Sequence, residues 1–185
     1  MGQTRVQSGK KNELDICASN GWINVDVKPK LDWSGIGRSN IDKIYNAGFD
    51  PSKFIPTDKS TFNKYDAITK DGKGVEIKKY TKSKVKNWTM YSEPVFTIKT
   101  RSILAKAVRL FGNGDITVAN KKYNDFLNGM VANVGQEIID KMTSTSIGIQ
   151  LEDGFIPQDN IEYRWKVNET AWGGFNRLCI EFRVK

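Results

Sequence analysis

A chain of 185 residues, 38% hydrophobic and 11% aromatic, is long enough for one domain with a real core and too apolar for disorder. Its net charge of +8 is that of a polyanion binder, with solubility as the plainer use of the same charge. It contains no histidine, which excludes Ser-His-Asp and Cys-His hydrolases in their usual form, histidine-ligated zinc, and nucleases that use a histidine base.

Met1 to Ser8 has no apolar core, so no signal peptide is expected, and no run of about 18 apolar residues follows, so no membrane span is expected either. Residues 10–19 read as a short helix, with Leu14, Cys17 and Ala18 at helical spacing and Ser8 as its cap. Cys17 and Cys179 stand far apart with no CxxC, which rules out a four-thiolate zinc site within one chain. Two free thiols point to a reducing compartment, and the expected location is cytoplasmic. Residues 22–27 alternate like a strand. Next, Gly35-Ile36-Gly37-Arg38 opens an apolar-periodic stretch ending at Gly48. It resembles the second half of a helix-hairpin-helix motif, in which backbone amides contact a phosphate. A glycine-rich turn capping an ordinary helix is the simpler reading. Residues 50–63, with Pro51 and Pro56, read as a loop.

Residues 65–80 read as a β-hairpin around Asp71-Gly72-Lys73-Gly74. In its second arm Val75 and Ile77 share one face while Glu76 and Lys78 share the other, because strand side chains alternate. A three-residue loop of Asp71, Gly72 and Lys73 would pair Lys70 with Gly74, set Asp66 opposite Lys78, and bring a second carboxylate to the polar face. A two-residue loop would send it to the other side. Two carboxylates and a lysine suit metal-assisted phosphodiester hydrolysis. Oxygen ligands hold Mg²⁺, and a lysine orients water or offsets charge developing on phosphorus. The bland alternative is a solvent-exposed charged face. Lys79, Lys82, Lys84 and Lys86 follow, interleaved with Tyr80 and Trp88; they read as phosphate contacts with aromatic support, or as a solvated loop.

Beyond the hairpin, residues 91–99 read as a strand and 101–111 as a helix ended by Gly112. Residues 116–119 read as a strand, and 121–142 as the longest helix, its stripe of Tyr123, Phe126, Leu127, Met130 and Ile138 facing the core. Two alternating strands, Ile161 to Val167 and Leu178 to Val184, close the chain as an antiparallel ribbon that either completes the sheet or enters a groove of DNA. No repeat, low-complexity segment or domain boundary is evident, so the whole of 1–185 is read as one domain.

Asp66, nine intervening residues, then Glu76-Ile77-Lys78 resembles the core of the PD-(D/E)xK nucleases, the restriction-endonuclease-like superfamily. Tyr65 stands where the family has proline. The family also places an acid on an early helix, a position that Glu13 fits. The resemblance covers roughly residues 9–80 and the helix after it. It implies an α/β fold with a mixed central β-sheet flanked by helices, a restriction-endonuclease-like core, and the site at the edge of the hairpin. It further implies a Mg²⁺-dependent DNA endonuclease of restriction or homing type, with Mn²⁺ able to substitute. Asp66, Glu76 and the carbonyl of Ile77 would hold the metal, Lys78 would activate or orient water, and Glu13 would support the site. Many such enzymes are homodimers. Gly35, Gly37, Arg38 and the four lysines would contact DNA. The rival class is a non-catalytic DNA-binding or nucleoprotein-assembly protein, or a viral packaging protein, using the same charge.

Overall fold

The first helix, α1 (Arg5–Asn20), ends where Gly21 takes a left-handed φ of +66°, and the Trp22 amide folds back to donate to the Cys17 carbonyl at 2.9 Å. A computed structural model describes residues 5–25, 41–53, 65–96, 101–144, 146–168 and 177–185. Gly35, Gly37 and Arg38 lie outside these residues, and so does the helix-hairpin-helix reading built on them.

The protein is mixed α/β, with two sheets. The larger has five strands: β1 (Ile23–Asn24), β2 (Ala67–Ile68), β3 (Gly74–Ile77), β5 (Ser146–Leu151) and β6 (Gly154–Pro157), adjacent in that order. Every pairing is antiparallel except β3 with β5, which is parallel and makes the sheet mixed. The smaller sheet holds β4 (Thr89–Phe96), β8 (Arg177–Val184) and β7 (Ile161–Asn168), in that order and wholly antiparallel. The closing ribbon therefore joins β4 to build a second sheet and does not complete the first. Its alternation is as expected: Tyr163 opposes Phe182 and Trp165 opposes Ile180 on the apolar face, while Glu162 opposes Arg183 and Arg164 opposes Glu181 on the other.

The helices are α2 (Ile41–Asn46), α3 (Arg101–Gly112), α4 (Ile116–Met130) and α5 (Gln136–Thr143), the last two joined by a π-helical turn over Val131–Gly135. Residues 116–119, expected as a strand, are the first turn of α4. Asp115 caps it, its carboxylate accepting from the amides of Thr117 at 2.8 Å and Val118 at 3.3 Å, and this overrides the β-leaning Ile-Thr-Val run. The long helix expected over 121–142 is interrupted at the π turn. There the Trp165 indole donates to the Gly135 carbonyl at 2.9 Å, and a Cβ on residue 135 would stand 2.8 Å from that indole nitrogen. Phe111, Phe126, Leu127, Met130 and Ile138 from the helices, Ile149 and Leu151 from the five-stranded sheet, and Tyr91, Ile180 and Phe182 from the three-stranded sheet form one buried core. A small second cluster of Cys17, Ala67 and Ile77 fixes α1 to β2 and β3. Both cysteines are free and buried, and among the described residues no helix is long and apolar enough to cross a membrane.

Candidate active site

The hairpin forms with a register two residues away from the expected one. The Thr69 amide donates to the Lys73 carbonyl at 2.9 Å and the Gly72 amide to the Thr69 carbonyl at 3.0 Å, so the loop is Lys70-Asp71-Gly72, with Gly72 at a φ of +79°. Ala67 opposes Val75 and Ile68 opposes Gly74. A shift of two keeps every side chain on its face. Asp66 stands one residue before the paired Ala67, its amide donating to the Val75 carbonyl at 2.9 Å, so it is not set opposite Lys78. Tyr65 packs against Gly74, where an added Cβ would meet its ring at 2.8 Å.

The polar face is not the solvent-exposed one. β3 lies in the middle of its sheet, not at an edge, and all four of its residues are buried. Glu76 is 1% exposed. Ile77 faces α1 through the Cys17 cluster, and the face carrying Glu76 and Lys78 is covered by Tyr91 of β4, with Tyr163 of β7 behind it. The Lys78 ammonium lies 2.9 Å from Glu76 Oε1 and 5.3 Å from the centroid of the Tyr91 ring. The Lys78 amide donates to the Gln150 carbonyl at 3.0 Å, tying the end of β3 to β5.

Asp66 Oδ2 accepts from the Ile77 amide at 2.8 Å. Burial first, and then the charge of Glu76, push the Asp66 carboxyl up to about 7 against Lys78, which pulls it down. Burial alone would lower Lys78, but the charges of Glu76 and Asp66 outweigh it and hold the ammonium above its ordinary value. The lysine is thus a cation. It can orient water or offset anionic charge, and it is not a base. Glu13 of α1 is raised by burial and then by Glu76, and a hydrogen bond from Asn24 opposes the rise. Asn24 of β1 also reaches the Asp66 carbonyl at 3.5 Å and Cys17 Sγ at 3.9 Å.

Glu13, Asp66, Glu76 and Lys78 thus fall in one electrostatic neighbourhood. Among the described residues, no group of three or more histidine, cysteine, aspartate or glutamate side chains is close enough to hold a metal ion. Asn24, Tyr91 and Tyr163 belong to the same neighbourhood and escaped the sequence reading. Asn24 carried a signal, as the polar position between Ile23 and Val25. The tyrosines carried none, because a strand aromatic reads as core.

Lys79, Lys82, Lys84 and Lys86 are all exposed on the segment that leaves β3. Lys79 reaches Ser8 Oγ on α1, and the Lys82 amide donates to Asp153 Oδ1 at 2.8 Å. The aromatics among them are engaged. Tyr80 lies 6.4 Å from Phe182 and carries the Lys84 ammonium 5.0 Å from its centroid. Trp88 has the guanidinium groups of Arg164 and Arg183 at 4.3 and 4.5 Å from its ring centre, and those arginines are paired with Glu181 and Glu162. Comparison with known proteins returns no match: no family model fits the chain, and no curated protein or solved structure resembles it significantly.

Proposed function

We propose that this protein is a divalent-metal-dependent DNA endonuclease of the PD-(D/E)xK type, with a restriction-endonuclease-like core in its five-stranded sheet and the site on β3. The observation that carries the reading is the burial of Glu76. A glutamate 1% exposed on the middle strand of a sheet, ion-paired to Lys78 and next to an aspartate raised to about 7, is costly to the fold. An apolar pair would serve packing at least as well, and clustered carboxylates with strongly shifted pKa values are the mark of working sites.

The donor set suits Mg²⁺, or Mn²⁺ in its place. Two carboxylates that repel one another beside the Lys78 ammonium gain from a further cation, and Mg²⁺ takes few protein ligands and keeps most of its waters. Asp66 and Glu76 would hold it, with the Ile77 carbonyl as the third ligand that the family resemblance implies. When bound, the ion supplies Lewis acidity to the phosphate and makes a water more acidic. The chain's own groups do the rest. Lys78 brings a fixed positive charge to the oxygens that gain charge as the phosphodiester breaks. Glu13, held by Asn24, keeps a further carboxyl near Glu76. The exposed lysines from Lys79 to Lys86 hold the DNA backbone.

The test is cleavage of supercoiled plasmid and of a single-stranded oligonucleotide with Mg²⁺, Mn²⁺, Ca²⁺ or EDTA. Wild type is expected to cut with Mg²⁺ and Mn²⁺, and Asp66→Ala and Lys78→Ala to abolish cutting. The exposed lysines from Lys79 to Lys86 also suit a second reading, a DNA-binding protein without catalysis. Tight, salt-sensitive binding that ignores metal and survives both substitutions, with no cutting of any substrate, would establish that reading.

A further inference from the structure

The Lys78 ammonium touches the Glu76 carboxylate and the face of the Tyr91 ring. If Glu76 serves a metal ion, as the function proposed above requires, the first of these contacts weakens whenever the site is loaded. We propose that Tyr91 is a positioning residue for Lys78, its ring keeping the ammonium over the site when Glu76 is shared with a divalent cation. The inference rests on the nuclease reading for its purpose, but its physical content is a contact that can be observed in a protein that cuts nothing.

Three observations support it. The first is geometry: at 5.3 Å from the ring centroid the ammonium lies within the range in which the negative face of an aromatic ring attracts a cation. The second is burial. Tyr91 is 1% exposed and the Lys78 side chain 19%, so little water competes for the ammonium and the attraction is strong. The third is rigidity. The Tyr91 ring is held edge-on by Tyr163 at 5.0 Å and 79°, and by Phe182 at 5.8 Å and 73°. Tyr163 is itself tethered, its hydroxyl accepting from the Gln158 amide at 2.7 Å. The crevice among Tyr91, Tyr163, Ile139, Thr143 and Ile180 has no room for a water molecule. The second sheet thus supplies a fixed aromatic wall to a lysine on the first. Without it, a four-carbon side chain released from Glu76 has many rotamers to explore.

The experiment is carbon-13 NMR of protein labelled at the lysine ε-carbons, without metal and with saturating Mg²⁺. Of the ε-methylene signals displaced upfield by ring currents, the one that vanishes in Lys78→Ala is assigned to Lys78. It should show nuclear Overhauser contacts to the Tyr91 ring, and both features should persist when Mg²⁺ is added. The displacement should be lost in Tyr91→Leu, kept in Tyr91→Phe, and kept in Phe182→Leu, which perturbs the same core without removing the ring. In cleavage assays Tyr91→Leu should lower kcat by about ten- to thirtyfold with KM for DNA unchanged, and Tyr91→Phe should recover the loss. An undisplaced Lys78 signal, a displacement that survives Tyr91→Leu, or contacts that disappear with Mg²⁺ would each overturn the inference. The wild-type contacts with and without Mg²⁺, read beside wild-type cleavage, decide the matter even if Tyr91→Leu does not fold. A preserved contact in a protein that cleaves no substrate would instead sink the nuclease reading and leave Tyr91 as a structural brace, which also overturns its positioning role.

Discussion

Asp66 keeps its proton to about pH 7, while Glu76, deeper in the protein, stays paired with an ammonium. The ordinary value for Asp66 is 3.8, so in that range the folded chain binds a proton that the unfolded chain has released. A carboxyl raised by folding contributes stability at low pH and loses it as pH rises through the folded value. Urea denaturation of the metal-free protein should therefore show stability falling by as much as a few kcal/mol between about pH 4 and 7, and Asp66→Asn should flatten that slope. Metal binding must displace the same proton, so Mg²⁺ affinity should climb over this interval and level off above it, as calorimetric titration would show. The ion pair gives a second prediction. Lys78→Met takes away the ammonium paired with buried Glu76 and should cost about 3–5 kcal/mol in urea unfolding; adding Glu76→Gln should restore most of it. At this scale the sequence disclosed the chemistry of Asp66, Glu76 and Lys78 through their spacing. Asn24 and Tyr91 come from distant segments, and only the folded chain brings them to the motif.

The hairpin shows which properties of an element local sequence determines. Its loop lies one position earlier than the composition of Asp71 to Gly74 suggested, and its register is displaced by two, yet the polar face is the same because displacement by two preserves alternation. Side-chain facing is thus more legible than register. What hid the burial of that face was the partner on its other side. β5 pairs with β3 from far along the chain, and the sequence reading named no strand over 146–157. The run Ile149-Gln150-Leu151 is short, and its register against β3 shifts between Gly74 and Glu76, an irregularity that no periodicity announces. Gly148 sits beside that shift, at a φ of +150°, where a Cβ would strike the Ile156 carbonyl oxygen of β6. Gly148→Ala should accordingly destabilise the fold by about 3 kcal/mol or more, read as a loss in thermal unfolding temperature, and should weaken the support of β3 through β5. Asp115 teaches the complementary lesson, since one capping carboxylate decided helix over strand for the three β-leaning residues that follow it.

For the molecule as a whole, the +8 charge was legible from composition, and its placement only partly so. The lysines that leave β3 are exposed as expected, whereas Trp88 beside them is engaged by Arg164 and Arg183, which pair with Glu181 and Glu162. DNA binding should therefore be dominated by phosphate contacts and be strongly dependent on salt. Replacing Lys79, Lys82, Lys84 and Lys86 by glutamine, one at a time, should each reduce the slope of log affinity against log salt by about 0.9 on duplex DNA, with little change in sequence preference, measured by fluorescence anisotropy. The parallel pairing of β3 with β5 has one more consequence, for synthesis. Glu13, Asp66, Glu76 and Lys78 have all left the ribosome well before Ser146 is added. A nascent chain stopped short of Ser146 carries the whole motif yet lacks the strand that buries it, and the Tyr91 wall behind Lys78 still lacks β7 and β8. If the proposed nuclease reading holds, a chain cut short before β5 should carry the motif without its burial and should not cut.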